Sequence, residues 1–272
     1  MMIPHLSLHN GYTLPMLGLG TYKITEQAQM TQAVSWALDA GYRLFDTAQM
    51  YGNEALLGNA LKASGAERSS YFLTSKLEPC NSCDPAAALK RSLDALKTDY
   101  LDLFLIHWPG QQQDRLAWVW QQLEQLHQEG LIRSLGISNC TPKHLQWIQA
   151  QCRISPAVHQ VEHNPLLHEA RLYQLCREQG IQLQAWAPLM RGNLEHPVLS
   201  EIARRCGKTP AQICLRWNIQ HGFSVVPKSA CWDRIFRNAD IFDFQLSPED
   251  MALLDAMHIG KRTGKDPYTY DY

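Results

Sequence analysis

Short apolar runs recur along the chain, each ending on a polar residue and each followed by an amphipathic stretch of helical length. Leu44 and Phe45 run into Asp46, Tyr71 to Ser75 runs into Lys76, and Leu101 to Ile106 runs into His107. Runs of this length read as buried strands. Between them, Met30 to Ala40 is a helix pattern closed by Gly41, Pro85 to Lys97 is a second, and Arg115 to Gln128 is a third, with Gly130 as the stop before a strand over Leu131 to Ile137. Later strands end at Ser138-Asn139, near Gln160-Val161-Glu162, at Ala185-Trp186 and at Pro227-Lys228-Ser229; with Leu17 to Gly20 they make eight candidates. Strands alternating with helices in this way predict a parallel sheet of α/β class. Ahead of it, His5 to Leu17 reads as a hairpin turning at Asn10-Gly11, placed to plug a barrel floor. Pro197 to Arg205 reads as an extra helix before the one over Pro210 to Gln220, and Ser247 to Met257 as a closing helix. No Pro/Gly-rich linker or change of composition interrupts residues 1–272, so one domain is expected.

The polar residues that end the strands are the candidate chemistry. Asp46, Lys76 and His107 are 30 and 31 positions apart, about one strand-helix unit. In a closed parallel barrel the carboxyl ends of the strands converge over one mouth, so the three side chains would meet. Tyr51 lies on the loop that follows Asp46, with Asn53 read as the N-cap of a helix carrying Ala55, Leu56, Leu57 and Leu61. A tyrosine, with a pKa of about 10 in water, donates a proton near neutrality only when positive charge lowers that value. Lys76 is the candidate for that charge.

At these residues the chain resembles the aldo-keto reductases, of the bacterial diketogluconate-reductase type. The resemblance runs from the amino terminus to about Leu254 and is carried by Gly41 to Glu54, Phe72-Leu73-Thr74-Ser75-Lys76-Leu77, and Leu101 to Pro109. It implies a (β/α)8 TIM barrel with an N-terminal β-hairpin and two extra helices, and an enzyme that reduces aldehydes or ketones with NADPH. It implies a tetrad in which Tyr51 donates the proton, Lys76 paired with Asp46 lowers the phenol pKa, and His107 orients the carbonyl. It also implies cofactor contacts from Thr21, Asp46, Ser138, Asn139 and Gln160, a ring-stacking Trp186, and a pyrophosphate lining from Ala187 and Leu189. Lys228, Ser229, Arg234 and Asn238 resemble the clamp for an adenosine 2′-phosphate. Arg237 stands where many relatives are acidic, which suggests additional attraction for phosphate. Tyr22, Met50, His107 and Trp108 match pocket walls, while Glu78 replaces an aromatic residue common in relatives. The tail from Gly264 to Tyr272 looks too short to cover the mouth more than partly, so an open pocket is expected.

Composition narrows the partners. The 25 Lys and Arg against 26 Asp and Glu give a net charge of −1, which argues against general binding to nucleic acid or membranes. There is no signal-peptide pattern at Met1 to His5 and no run long enough to span a bilayer. The eight cysteines are scattered as reduced thiols would be. A cytoplasmic monomer acting on a small carbonyl compound is expected, with no metal. Three motifs compete with this reading. Leu17 to Lys23 lacks the third glycine of a dinucleotide fingerprint. His159-Gln160-Val161-Glu162-His163 matches H-x-x-E-H, which needs a helix to bring its histidines together, yet reads as a strand between prolines. Cys80-Asn81-Ser82-Cys83 precedes a helix, as redox C-x-x-C pairs do. A cofactor-binding protein of the same fold with little turnover is the alternative from another class.

Overall fold

The computed structural model describes residues 3–78 and 84–271, so Cys80 and Cys83, and with them the redox motif, lie outside the described residues. Strand β1 (His5–Ser7) pairs antiparallel with β2 (Thr13–Pro15) to form the hairpin. Eight further strands, β3 (Leu19–Gly20), β4 (Leu44–Asp46), β5 (Phe72–Leu77), β6 (Leu101–Ile106), β7 (Ile132–Ser138), β8 (Val158–Glu162), β9 (Gln182–Trp186) and β10 (Ser224–Val225), form one parallel sheet in chain order. Parallel bridges from Leu17 to Val225 and from Gly20 to Lys228 join its first strand to its last and close the barrel. The glycines before Lys23 serve this seam. A Cβ at Gly20 would sit 2.7 Å from the Val226 carbonyl oxygen, and one at Gly18 would collide with Leu44.

Helices follow the strands as the pattern predicts. They are α1 (Gln27–Asp39), α2 (Glu54–Ser64), α3 (Pro85–Leu96), α4 (Gln113–Gln128), α5 (Pro142–Gln149) and α6 (Ala170–Glu178), then the extra α7 (Pro197–Cys206), α8 (Pro210–Gln220), α9 (Trp232–Ala239) and the closing α10 (Pro248–Asp255). Several begin on local chemistry: Asp84 accepts from the amides of Ala86 and Ala87, and Thr141 and Thr209 form capping boxes with His144 and Gln212, each ahead of a proline.

The two-residue period of a strand divides the barrel into two environments. Outward residues Phe45, Leu73, Phe104, Leu135, Ile137, Val161, Leu183 and Val225 pack into the main core with the helices. Inward residues Leu44, Phe72, Leu103, Leu105, Val158 and Val226 form a second apolar cluster with Leu8 and Leu14 of the hairpin. The hairpin therefore plugs the floor, and it is held there by Asn10 Nδ2 donating to Ser134 Oγ at 3.0 Å and by His9 Nε2 meeting the Pro156 carbonyl at 3.2 Å. Toward the strands' carboxyl ends the inward positions turn polar: Asp46, Lys76, Ser138, Gln160 and Gln184 are all buried.

Asn53 departs from its expected role. It stands at the N-cap of α2, but its side chain makes no bond to the helix. Instead it accepts from Thr47 Oγ1 at 2.8 Å and donates to the carbonyls of Thr21 and Ile24 at 2.9 and 3.0 Å, tying the loop after β4 to the loop after β3. Asn53→Ala would leave two carbonyls and a hydroxyl without these partners. A loss of about 2–4 kcal/mol is expected from such orphaned groups, read from the urea midpoint. A loss under about 0.5 kcal/mol would mean that the loops do not depend on this residue.

Candidate active site

Asp46 ends β4, Lys76 lies one residue before the end of β5, and His107 follows β6, so parallel register brings their side chains to one rim. Tyr51 arrives from a single 3₁₀ turn, Gln49–Tyr51, which Gly52 stops in the left-handed region at φ 65°. Lys76 Nζ donates to Asp46 Oδ1 at 2.6 Å, to the Thr47 carbonyl at 2.9 Å and to the Tyr51 hydroxyl at 3.4 Å. An ammonium has three protons, and all three are engaged. The pair is enclosed, with side-chain exposures of 0% for Lys76 and 4% for Asp46. The His107 and Tyr51 rings meet edge to face with centroids 5.6 Å apart, and the Tyr22 ring lies 5.0 Å from that of Tyr51.

The electrostatics refine the expected division of labour. Burial raises the Tyr51 phenol above its ordinary value, Lys76 pulls it down, and Asp46 pushes it up again. Asp46 thus acts against the phenol directly. Its contribution runs through Lys76, whose burial disfavours the charge but whose pKa is nevertheless raised by the Asp46 carboxylate. His107 is held well below the usual imidazole range by burial and by Lys76. Its Nδ1 meets no hydrogen-bond partner among the described residues.

Beside this cluster, Asn139 adopts a left-handed φ of 58°, a backbone conformation that costs energy outside glycine. Its Nδ2 donates to the His107 carbonyl and to Ser138 Oγ, both at 3.0 Å, while its Oδ1 accepts from Trp186 Nε1 at 2.8 Å. Gln160 Nε2 donates to Asp46 Oδ2 at 2.7 Å, and Thr21 Oγ1 donates to the Asp46 carbonyl at 2.9 Å. After Trp186 the backbone is left-handed again at Ala187, Met190 and Arg191, on either side of Leu189.

After β10, Lys228 and Arg234 are exposed while Ser229 and Asn238 are buried. Burial, Arg234 and Lys23 together lower the Lys228 pKa, which marks three cations gathered at one place. Lys23 is the member that sequence reasoning missed; it follows the close approach of Gly20 to Lys228, which no local pattern announces. Among the described residues no carboxylate lies within salt-bridge distance of Lys23, Lys228 or Arg234. Arg237 does not join them as expected. Its guanidinium faces Asp233, one turn earlier on α9, at 2.8 Å.

The mouth is more covered than the tail's length suggests. Trp108 is buried and its ring meets Tyr270 at 4.9 Å, whereas Tyr22 and Met50 stay exposed. Gln111 Nε2 donates to the Tyr270 carbonyl at 3.1 Å. Glu162, at the end of β8, accepts from Thr263 N at 2.7 Å, from Thr263 Oγ1 at 2.6 Å and from Gly264 N at 3.2 Å, and Arg262 pairs with Glu169. Gly264 lies so close to Trp186 that a Cβ there would sit 2.4 Å from the indole. Glu78 is exposed, its amide donating to Gln49 Oε1 at 2.8 Å. The H-x-x-E-H residues do not converge: His159 accepts from the Cys140 amide, whereas His163 stacks on Phe223 with ring centroids 3.9 Å apart. No group of three potential metal ligands occurs among the described residues.

Comparison with known proteins agrees with this geometry. Residues 16–259 match the model of the Aldo/keto reductase family. The chain is 44% identical over 265 residues to glyoxal reductase of Bacillus subtilis, covering 96% of this chain and 95% of that protein. It is 39% identical over 272 residues to methylglyoxal reductase DkgA of Yersinia pestis, covering 99% and 98%. Its structure superposes on MGS-M4, an aldo-keto reductase from a deep-sea metagenome library of the Medee basin, with a TM-score of 0.93 at 36% identity over 98% of this chain and 100% of that one. By fold, rim chemistry and sequence together, the chain belongs to the aldo/keto reductase family and is an oxidoreductase.

Proposed function

We propose that the protein reduces aldehydes or ketones to alcohols with NADPH. The observation that carries this reading is the contact of Lys76 with both Asp46 and the Tyr51 hydroxyl inside an enclosed rim. When bound, the nicotinamide supplies the hydride to the carbonyl carbon. The Tyr51 hydroxyl delivers the proton to the carbonyl oxygen, and the phenolate left behind faces the Lys76 ammonium. His107, neutral at working pH, has an Nδ1 without a partner among the described residues, so the tautomer with hydrogen on Nε2 avoids an orphaned buried N–H. That Nε2–H orients the substrate oxygen.

The residues present fit the cofactor. Both amide hydrogens of Asn139 are engaged and Ser138 Oγ already accepts one of them, leaving the Ser138 hydroxyl proton to donate and the Asn139 and Gln160 oxygens to accept. One donor and two acceptors suit a primary carboxamide. Trp186, fixed by Asn139, offers a flat face to the ring, and the backbone around Ala187 and Leu189 would line the pyrophosphate. Lys228, Ser229 and Arg234, with Lys23 beside them, would hold the 2′-phosphate; Thr21 and Asn238 complete the contacts. Tyr22, Met50 and Trp108 would wall the substrate pocket. The names of the glyoxal and methylglyoxal reductases favour small oxoaldehydes among the substrates. The whole chain would work as a single-domain cytoplasmic monomer.

Monitoring NADPH oxidation against methylglyoxal tests the reading. Tyr51→Phe should lower kcat by about 10²–10⁴-fold while the NADPH Kd stays within about twofold. Near-parental turnover in that variant would refute the assignment of the proton donor. Lys76→Met should be comparably damaging, because burial and Asp46 then raise the phenol unopposed.

The pH profile provides a second check. Since burial and Lys76 keep His107 uncharged, kcat should show no inflection between about pH 6 and 8. A titration step near 6.5 that disappears in His107→Gln would contradict the neutral imidazole.

Cofactor choice follows from close contacts, because a net charge of −1 exerts no long-range pull on a phosphate. Charge-assisted hydrogen bonds contribute about 1.5–3 kcal/mol each. Arg234→Ala should thus weaken NADPH about tenfold to hundredfold and leave NADH nearly unchanged. Equal losses for both cofactors, measured by tryptophan fluorescence, would place recognition of the 2′-phosphate elsewhere.

A further inference from the structure

Gln160 does not end its contacts at Asp46. The same Nε2 donates to Gln184 Oε1 at 2.7 Å; Gln184 Nε2 donates to Ser224 Oγ at 3.1 Å; and Ser224 Oγ donates to the carbonyl of Pro15, in the hairpin, at 2.8 Å. Gln160, Gln184 and Ser224 are all fully enclosed. They occupy inward positions of neighbouring strands β8, β9 and β10, in register where Gln160 faces Gln184 and Gln184 faces Ser224.

The direction of this chain is dictated from its ends. A backbone carbonyl can only accept, so Ser224 must give it its single proton and has only lone pairs left for Gln184. Gln184 must then present its NH₂ group to Ser224 and its oxygen to Gln160. At the other end the Asp46 carboxylate also accepts. Both N–H groups of Gln160 are thereby claimed, and its Oε1 is the atom left over. From this we infer that Gln184 is a positioning residue, locked by Ser224 and the Pro15 carbonyl, which holds Gln160 so that an acceptor and not a donor faces the cofactor. The inference rests on the nicotinamide reading given above and deepens it: Gln160 selects a carboxamide for its N–H₂, and the selection is anchored on the barrel floor. Neither Gln184 nor Ser224 touches the reacting atoms in this arrangement.

The test compares NADPH with its 3-acetylpyridine analogue, which keeps the carbonyl oxygen and replaces the amide N–H₂ with a methyl group. Dissociation constants are measured by tryptophan fluorescence on the parent protein and on Gln184→Met, Gln184→Glu and Ser224→Ala, with thermal unfolding of each variant recorded without cofactor. The parent should prefer NADPH by about tenfold, the ratio set by one neutral hydrogen bond. Gln184→Met, close in shape but with no oxygen to accept, should bring the two constants to within about twofold of each other. Gln184→Glu, which keeps an acceptor toward Gln160 but has no N–H to give Ser224, should shift the ratio as Ser224→Ala does. Ser224→Ala, which frees one end of Gln184, should give an intermediate value near threefold, and it decides the matter if Gln184→Met fails to fold. A parental ratio in both Gln184→Met and Ser224→Ala would overturn the inference while leaving the reductase reading intact. A parent protein that binds neither dinucleotide would overturn both.

Discussion

The structure depends on a carboxylate and an ammonium held together where water barely reaches. Removing such ions from water costs several kcal/mol each, and their attraction offsets this only when the remaining donors and acceptors are also satisfied. Here they are. Lys76 uses its three protons on Asp46, the Thr47 carbonyl and Tyr51, while the second oxygen of Asp46 takes the amide of Gln160. This requirement binds β4, β5, β8 and the loop bearing Tyr51 into one unit. It also explains why the phenol sits against a cation whose charge cannot be lost without leaving Asp46 buried and unpaired.

That polar layer is supported from below. An apolar cluster shared by the strands and the hairpin fills the barrel floor, and a directional chain of amides rises from the Pro15 carbonyl through that level to the rim. Interior packing alone would position the rim side chains but would not decide which end of an amide faces the mouth. Hydrogen-bond polarity decides it. The left-handed backbone at Asn139 and Ala187, directly after β7 and β9, lies at this same rim, where the surrounding contacts must hold conformations that isolated residues would avoid.

Charge is arranged locally as well. A nearly neutral protein gathers Lys23, Lys228 and Arg234 at the seam where β3 meets β10, yet leaves Arg237 to pair with Asp233 one helical turn away. At the other side of the mouth, Glu162 and Glu169 anchor Thr263, Gly264 and Arg262, and this seats a short tail against Trp186 and Trp108. The buried Glu162 and the half-buried Glu169 supply the acceptors that hold it.

The barrel was legible in the sequence because strands and helices impose their own periods. The alternation of short apolar runs with amphipathic segments, each ending on Asp46, Lys76 or His107, reports burial of one element at a time and needs no knowledge of neighbours. Gln184 was legible in principle too, as a polar residue two positions before Trp186 and so on the same inward face. What the sequence could not contain was pairing across distant strands. The roles of Gly18 and Gly20 at the closing seam, of Asn53 between two loops, of Lys23 beside Lys228, and of Glu162 beneath the tail all depend on which residues closure brings within a few ångströms. The sign of each contribution to the Tyr51 pKa depends on the same thing, because the energy of a charge in a protein is set by the distance and burial of its partners, and only the tertiary structure assigns those.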